Sequence, residues 1–214
     1  IVFVFNPLGY IQNIPLRLYR KTKFKAIKTT SDSMVLLFSN KGKCFRVGTK
    51  DVKSCEPSQK GTAFGSFLPL EPKEKIISMI DNKEIDNIEY LLFVTANGKV
   101  KKTKIVNYIS NTRNIKGIMA INLSENDDVI AIFPVDKEEV LLYTNSNKYI
   151  RFDLNELSVS GRSSSGMIGI KLLDDDQVKD AELVKSNCKT QFVKQKRAGK
   201  GKKYEWALSR EFTN

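Results

Sequence analysis

Four stretches of the chain repeat one pattern: a run of apolar residues, a polar residue or two, a turn residue, then a second short run. They read IVFVFNPLGYI from Ile1, VLLFSNKGKCF from Val35, LLFVTANGKVK from Leu91 and VLLYTNSNKYI from Val140. Aligned on Gly9, Gly42, Gly98 and Asn147, the position seven before the turn holds Val2, Val35, Leu91 and Val140. The position five before it holds Val4, Leu37, Phe93 and Leu142. Each copy predicts a β-hairpin, with Asn97-Gly98 the strongest turn signal of the four. Asn147 fits the glycine slot because Asn also tolerates a positive φ. The turn residues are 33, 56 and 49 positions apart, a mean of 46, which is close to the period of four-stranded propeller blades.

A second unit recurs after the later hairpins, as GIMAINLSENDDVIAI from Gly117 and GMIGIKLLDDDQVKDA from Gly166. Leu123 and Leu172, Asp127 and Asp176, then Val129 and Val178 occupy matching places. Alternation in these stretches reads as strand. Asp127 and Asp176 fall between strands, where Asp fixes turns through its own backbone contacts. The stretch PKEKIISMIDNKEID from Pro72 also fits a helical face through Ile76, Ile77 and Ile80. Its place in the repeat makes it a strand, like residues 129–132.

The chain has 214 residues, and 36 Lys+Arg against 24 Asp+Glu give a net charge of +12. Such a charge points to polyanions or acidic surfaces as partners. The excess is concentrated. RLYRKTKFKAIK, residues 17–28, carries six basic residues and no acid. KSNCKTQFVKQKRAGKGKK, residues 185–203, carries eight and no acid, and the rest of the chain is close to neutral. Two acid-free runs favour phosphate binding over a merely solvated face. A membrane-anchoring basic helix is the rival, but Ala198-Gly199-Lys200-Gly201 is too rich in glycine for a stable helix.

Absences narrow the chemistry. With no histidine, Ser-His and Cys-His relays and His-ligated metals are excluded. Cys44, Cys55 and Cys188 are odd in number and lack metal-ligand spacing, which fits a reducing cytoplasm. No apolar run approaches the length of a membrane span. Residues 161–166 have the GxxxxG spacing of a phosphate loop, but Met167-Ile168 follows where Lys-Ser/Thr is required, so a nucleotide site is rejected. The run Asp174-Asp175-Asp176 is read as an exposed turn rather than a metal site. Tyr90 and Tyr143 stand at apolar strand positions and are expected in the core, whereas Tyr19 lies beside Arg20 and Lys21. The first residue, Ile1, already lies inside an apolar run, so the chain is expected to be a piece of a longer protein.

The stretch from Leu91 to Ile132 resembles a repeat of the C-terminal domain of the A subunit of bacterial type IIA topoisomerases, DNA gyrase and topoisomerase IV. The stretch from Val140 to Val178 is similar to a later repeat and includes a Gly-Arg-x-x-x-Gly element, Gly161-Arg162-Ser163-Ser164-Ser165-Gly166. GYIQNIPLRLYR from Gly9 and KGTAFGSFLPL from Lys60 fit the first and second repeats more loosely.

The resemblance implies an all-β, propeller-like β-pinwheel over residues 1–184, of about five four-stranded blades in a ring that need not close. Residues 185–214 would complete or join that ring. It implies a non-catalytic domain that binds and wraps double-stranded DNA, largely without regard to sequence. The strand-cleaving tyrosine would lie elsewhere in an ATP-dependent type II topoisomerase. Partners would be the remainder of the parent A subunit and the ATPase B subunit, in a bacterial cytoplasm at the nucleoid, with no cofactor of the domain's own and no membrane.

The gyrase box of the family, Gln-Arg-Arg-Gly-Gly-Lys-Gly, normally sits on a first-blade loop. Here Tyr19-Arg20-Lys21-Thr22-Lys23-Phe24-Lys25 keeps the cations without glycine, and the box is matched late, by Gln195-Lys196-Arg197-Ala198-Gly199-Lys200-Gly201. That displacement leaves gyrase-like and topoisomerase IV-like activities both open. The expected DNA contacts are Arg17, Arg20, Lys21, Lys23 and Lys25 in one patch, and Lys194, Lys196, Arg197, Lys200, Lys202 and Lys203 in a second. Lys101, Lys102 and Arg162 would continue the path. The competing reading is a propeller scaffold whose basic segments engage an acidic protein.

Overall fold

The computed structural model describes residues 1–81, 87–109, 114–136, 138–173, 175–185, 188 and 190–204. Its strands in the first half are β1 (Val2–Asn6), β2 (Tyr10–Ile14), β3 (Lys25–Lys28), β4 (Met34–Ser39), β5 (Lys43–Gly48), β6 (Thr62–Ala63), β7 (Ile76–Asp81) and β8 (Tyr90–Thr95). The rest are β9 (Lys99–Lys104), β10 (Asn114–Met119), β11 (Val129–Val135), β12 (Glu138–Thr144), β13 (Lys148–Asp153), β14 (Met167–Ile168), β15 (Val178–Lys185) and β16 (Lys202–Lys203). They form four antiparallel sheets of four strands, ordered β3-β1-β2-β6, β10-β5-β4-β7, β11-β8-β9-β14 and β15-β12-β13-β16.

One rule builds all four. Each sheet is centred on one of the predicted hairpins, and the next strand of its own repeat, such as β7 or β11, pairs with the first arm. A short strand from farther along the chain crosses over to pair with the second arm, as β6 does with β2 and β14 with β9. In the fourth sheet that crossing strand is β16, from the basic C-terminal segment. The expected fifth blade is thereby corrected: the C-terminal remnant supplies one edge strand, and four sheets are present among the described residues.

The chain divides into two compact units, Ile1–Glu89 with Ile105–Ala120, and Tyr90–Lys104 with Ile121–Asn214. The first holds the first and second sheets. Phe3, Phe5 and Ile11 of the first sheet pack there against Val35, Leu37, Phe45 and Val47 of the second. The second unit holds the other two sheets, with Leu92, Val94 and Val100 against Val140, Leu142, Ile150 and Phe152.

The intervening residues of the same strands point the other way, because side chains alternate along a strand. In the first sheet Val2, Val4 and Ile14 lie under Leu18, Tyr19 and Phe24. In the fourth, Leu141, Tyr143 and Tyr149 lie under Phe192 and Tyr204. Both faces are covered, which is why the first arms read as unbroken apolar runs rather than as alternation.

The turns follow the sequence. Gly9, Gly42 and Gly98 have φ of 100°, 73° and 79°, and Asn147 has φ 54° in the same slot. Asp127 and Asp176 are turn locks. Asp127 Oδ1 accepts from the amides of Asn97 and Asp128, both at 2.9 Å. Asp176 Oδ1 accepts from the amides of Ser146 and Gln177, both at 3.0 Å. Each carboxylate therefore ties the strand leaving its own turn to the hairpin tip. The stretch from Pro72 contains strand Ile76–Asp81. Residues 82–86, and Asp174 of the acidic run, lie outside the described set.

Candidate nucleic-acid interface

In the first unit, β2 runs into a turn of 3₁₀ helix, Leu16–Leu18, and the chain then crosses the outer face of the first sheet before entering β3. The crossing is held by its apolar residues: Leu18, Tyr19, Phe24 and Ala26 pack on Val2, Val4 and Ile14. With these turned inward, Arg17, Arg20, Lys21, Lys23, Lys25 and Lys28 are all exposed. The alternation KFKAIK thus places an apolar anchor between successive cations. Arg17, Arg20, Lys21, Lys23 and Lys28 form no ion pair among the described residues; Lys23 Nζ lies 5.6 Å from the Phe24 ring centroid.

The second basic segment is tied down more firmly. Arg151, on β13, is buried and pairs through Nε with Glu139 of β12 at 2.5 Å. Its Nη1 donates to the Phe192 carbonyl at 3.1 Å. Lys194 reaches Glu139 at 3.1 Å and Asp153 at 3.0 Å. The hydrogen bonds of Lys194 to Asp153 and then Glu139 hold its ammonium pKa above the ordinary lysine value.

The box-like loop follows. Gln195 N donates to the Arg151 carbonyl at 2.7 Å, and Ala198 N to the Gly169 carbonyl at 2.8 Å. Arg197 is half-buried; its Nη1 donates to the Ile168 carbonyl at 2.6 Å and its amide to Glu156 Oε2 at 3.0 Å. The side chain expected to touch phosphate instead clasps the fourth sheet's loop to β14 of the third. Lys196, Lys200, Lys202 and Lys203 are exposed, with Gln195, Ala198, Gly199 and Gly201 forming the frame between them.

Two expected contacts are corrected outright. Lys101 is 1% exposed; its Nζ donates to the Arg162 carbonyl and stands 5.8 Å from the Phe93 ring centroid. Burial, and then the Arg162 charge, push its pKa down to about 8. Lys102 is 8% exposed, with its Nζ 4.6 Å from the Tyr90 ring centroid. Both sit on a central strand covered on both faces, so neither offers its charge to a polyanion. Arg162 is half-buried on the loop that Lys101 supports.

Sequence reading missed two cations that the repeat itself marks. Gly61, Gly117, Gly166 and Gly201 stand two residues before Ala63, Met119, Ile168 and Lys203, which pair with Tyr10, Lys43, Lys99 and Lys148, each just past its turn. The glycine is required there. A Cβ would lie 2.4 Å from the Ile11 carbonyl at Gly61, 2.6 Å from the Val100 carbonyl at Gly166 and 2.9 Å from the Tyr149 carbonyl at Gly201. The residue before each is Lys60, Lys116, Ser165 and Lys200, and the three lysines are exposed. Aligning on these glycines adds Lys60 and Lys116 to the first unit's candidates.

No helix among the described residues is long and apolar enough to cross a membrane. A family model described as the DNA gyrase C-terminal domain, beta-propeller, matches residues 33–81, 89–136 and 138–185. The chain is 30% identical over 198 residues to the DNA gyrase A protein of Dehalogenimonas lykanthroporepellens, covering 83% of this chain and 24% of that protein. It is 27% identical to the DNA gyrase A protein of Staphylococcus epidermidis, covering 95% of this chain and 25% of that one. The chain thus spans about a quarter of the length of the curated relatives it matches. The crystal structure of the C-terminal domain of DNA topoisomerase IV matches with a TM-score of 0.84 at 25% identity, over 94% of this chain and 71% of that one. A structure of the DNA gyrase A C-terminal domain matches in fold, with a TM-score of 0.66 at 18% identity, over 94% and 75%.

Proposed function

The chain belongs to the DNA gyrase C-terminal β-propeller family, and from that premise we propose that it is a non-catalytic domain that binds and bends duplex DNA for the larger, strand-cleaving component of a type IIA topoisomerase. The observation that carries this reading is the first unit's cationic segment, six exposed basic residues between 17 and 28 with no acid among them. Lys60 and Lys116 are further exposed cations of the first unit, and Lys196, Lys200, Lys202 and Lys203 are those of the second.

These are flexible side chains on loops and short edge strands, suited to phosphates rather than to base edges. Sequence preference then comes from how readily a duplex bends. Curving 20–30 bp by 40–90° costs on the order of 1–6 kcal/mol, which a row of phosphate contacts offsets. Strand cleavage and ATP hydrolysis belong to the parent assembly, in which the cleaving region and a separate ATPase subunit are the partners. The setting is a bacterial cytoplasm, at the nucleoid, and the domain works without a cofactor of its own.

The test is a binding titration with duplexes of increasing length across a range of salt. Phosphate-driven bending gives affinity that rises with duplex length and falls steeply with salt, about 0.9 in log–log slope for each phosphate neutralised. Binding that ignores both length and salt would overturn the reading and favour a scaffold for an acidic protein.

A further inference from the structure

On the outer face of the first sheet, Val4 and Ile14 are buried under the covering segment, and a cleft lies beside that cover. The cleft, of ≈ 290 Å³, lies among residues 20–24 and the loop 57–60, just below the range for small-ligand sites, about 300–1,000 Å³. Val4, Ile14 and Phe24 give it an apolar lining, and Arg20 and Lys60 stand among its lining residues with no acid between them. The far wall is fixed: Gln12 Nε2 donates to the carbonyls of Pro57, at 3.2 Å, and Gln59.

The repeat tells what such a face receives. The corresponding face of the second sheet, carrying Val35 and Leu37, packs against Phe3 and Phe5 of the first. On the first sheet, Leu18, Tyr19, Phe24 and Ala26 cover the matching face in place of a neighbouring sheet. The slot beside that cover is lined by the half-buried ring of Phe24 and by the exposed cations Arg20 and Lys60.

We propose that this slot takes one nucleobase of an unpaired DNA strand, stacked on Phe24, with the adjoining phosphates held by Arg20 and Lys60. The inference rests on the DNA-binding reading above and extends it from duplex to single strand. Aromatic stacking within a cationic groove is the general chemistry of single-strand recognition and tolerates any base.

The experiment compares two strands of equal charge binding to the whole chain: a thymidine oligonucleotide and an abasic deoxyribose-phosphate strand of the same length. The base-bearing strand should bind about ten-fold tighter, within the range expected for one stacked base. Ser58→Leu, which puts a bulky non-aromatic side chain at an exposed position on the slot's rim, should abolish that preference and leave duplex affinity within two-fold. A strand carrying one 5-iodouracil, irradiated on the unaltered protein, should crosslink at Phe24, which reads the slot without any substitution. Equal binding of the two strands, or crosslinks everywhere except the slot, overturns this proposal while leaving duplex binding intact. A base preference that persists in a protein that fails to bind duplex supports the slot and overturns the earlier reading instead.

Discussion

The two basic segments do the same structural job by different means. Residues 17–28 cover the outer face of the first sheet, and Phe192 and Tyr204 of the C-terminal segment cover that of the fourth. The first cover is held through apolar contacts at Leu18, Tyr19, Phe24 and Ala26, which leaves its cations exposed. The second is held by an ionic and hydrogen-bonded lattice, Arg151–Glu139–Lys194–Asp153, and by ring contacts such as Tyr149–Phe192, with centroids 4.8 Å apart. Two of its cations, Lys194 and Arg197, are engaged in anchoring it. A positive run in a sequence therefore overstates the charge available to a ligand wherever the run must also fasten itself.

The sharpest way to separate the two covers is Glu139→Ala. Removing one partner of a buried ion pair leaves the other charged and unpaired, at a cost of about 3–5 kcal/mol. Urea denaturation should show a loss of that size, together with faster proteolysis of the C-terminal segment. Lys23→Ala, in the other cover, should change stability by less than about 0.5 kcal/mol. Equal small losses would mean that the lattice does not hold the tail.

Next in size is a reversal of charge. Arg20→Glu with Lys21→Glu and Lys23→Glu should weaken duplex binding more than ten-fold and lower the log–log salt slope by about 0.9 for each contact removed. Arg197→Ala should act the other way round, lowering stability with little change in slope, because its guanidinium already serves the Ile168 carbonyl. A steep change in slope from Arg197→Ala would erase the distinction between presenting and anchoring cations.

Acid should loosen only the second cover. The amide of Asn155 hydrogen-bonds Asp153, and the Lys194 ammonium lies beside it, so its carboxyl titrates below the ordinary aspartate value of 3.8. Such a group contributes stability that is in place above the ordinary carboxylate range and is lost as pH falls through the lowered folded value. Tail proteolysis followed from pH 6 down to about pH 3 should accelerate in the wild type and lose part of that acceleration in Asp153→Asn.

These contrasts also mark what sequence could and could not disclose. Hairpins, the positive-φ Asn147, the strand after Pro72 and the turn-locking Asp127 and Asp176 were legible, because each rests on local backbone chemistry that the repeat displays several times. The number of sheets was not. A two-residue strand such as β16 has no pattern of its own, and only its partner, Tyr149 and Lys148 of β13, identifies it. Lys101 and Lys102 misled for a related reason. KVKKTK carries four lysines in six residues, yet β9 is an interior strand between β8 and β14. Arg197 misled because a phosphate-binding loop and a loop that clasps a neighbouring carbonyl draw on the same donors.

The smallest effect tests the box-like loop most directly. Ala198 occupies a left-handed position with φ 62°, a conformation costing an L-residue roughly 1–2 kcal/mol. Ala198→Gly removes that strain, and the greater freedom of glycine in the unfolded chain returns about 0.5–1 kcal/mol of it. The net should be a gain of at most about 1.5 kcal/mol, seen as a small upward shift of the urea midpoint. The salt slope of DNA binding should not move: no cation changes, and the residue's amide is already donated to the Gly169 carbonyl at 2.8 Å. If the slope steepened instead, the loop would have released that carbonyl to meet phosphate, and the second cover would behave as a presenting surface like the first.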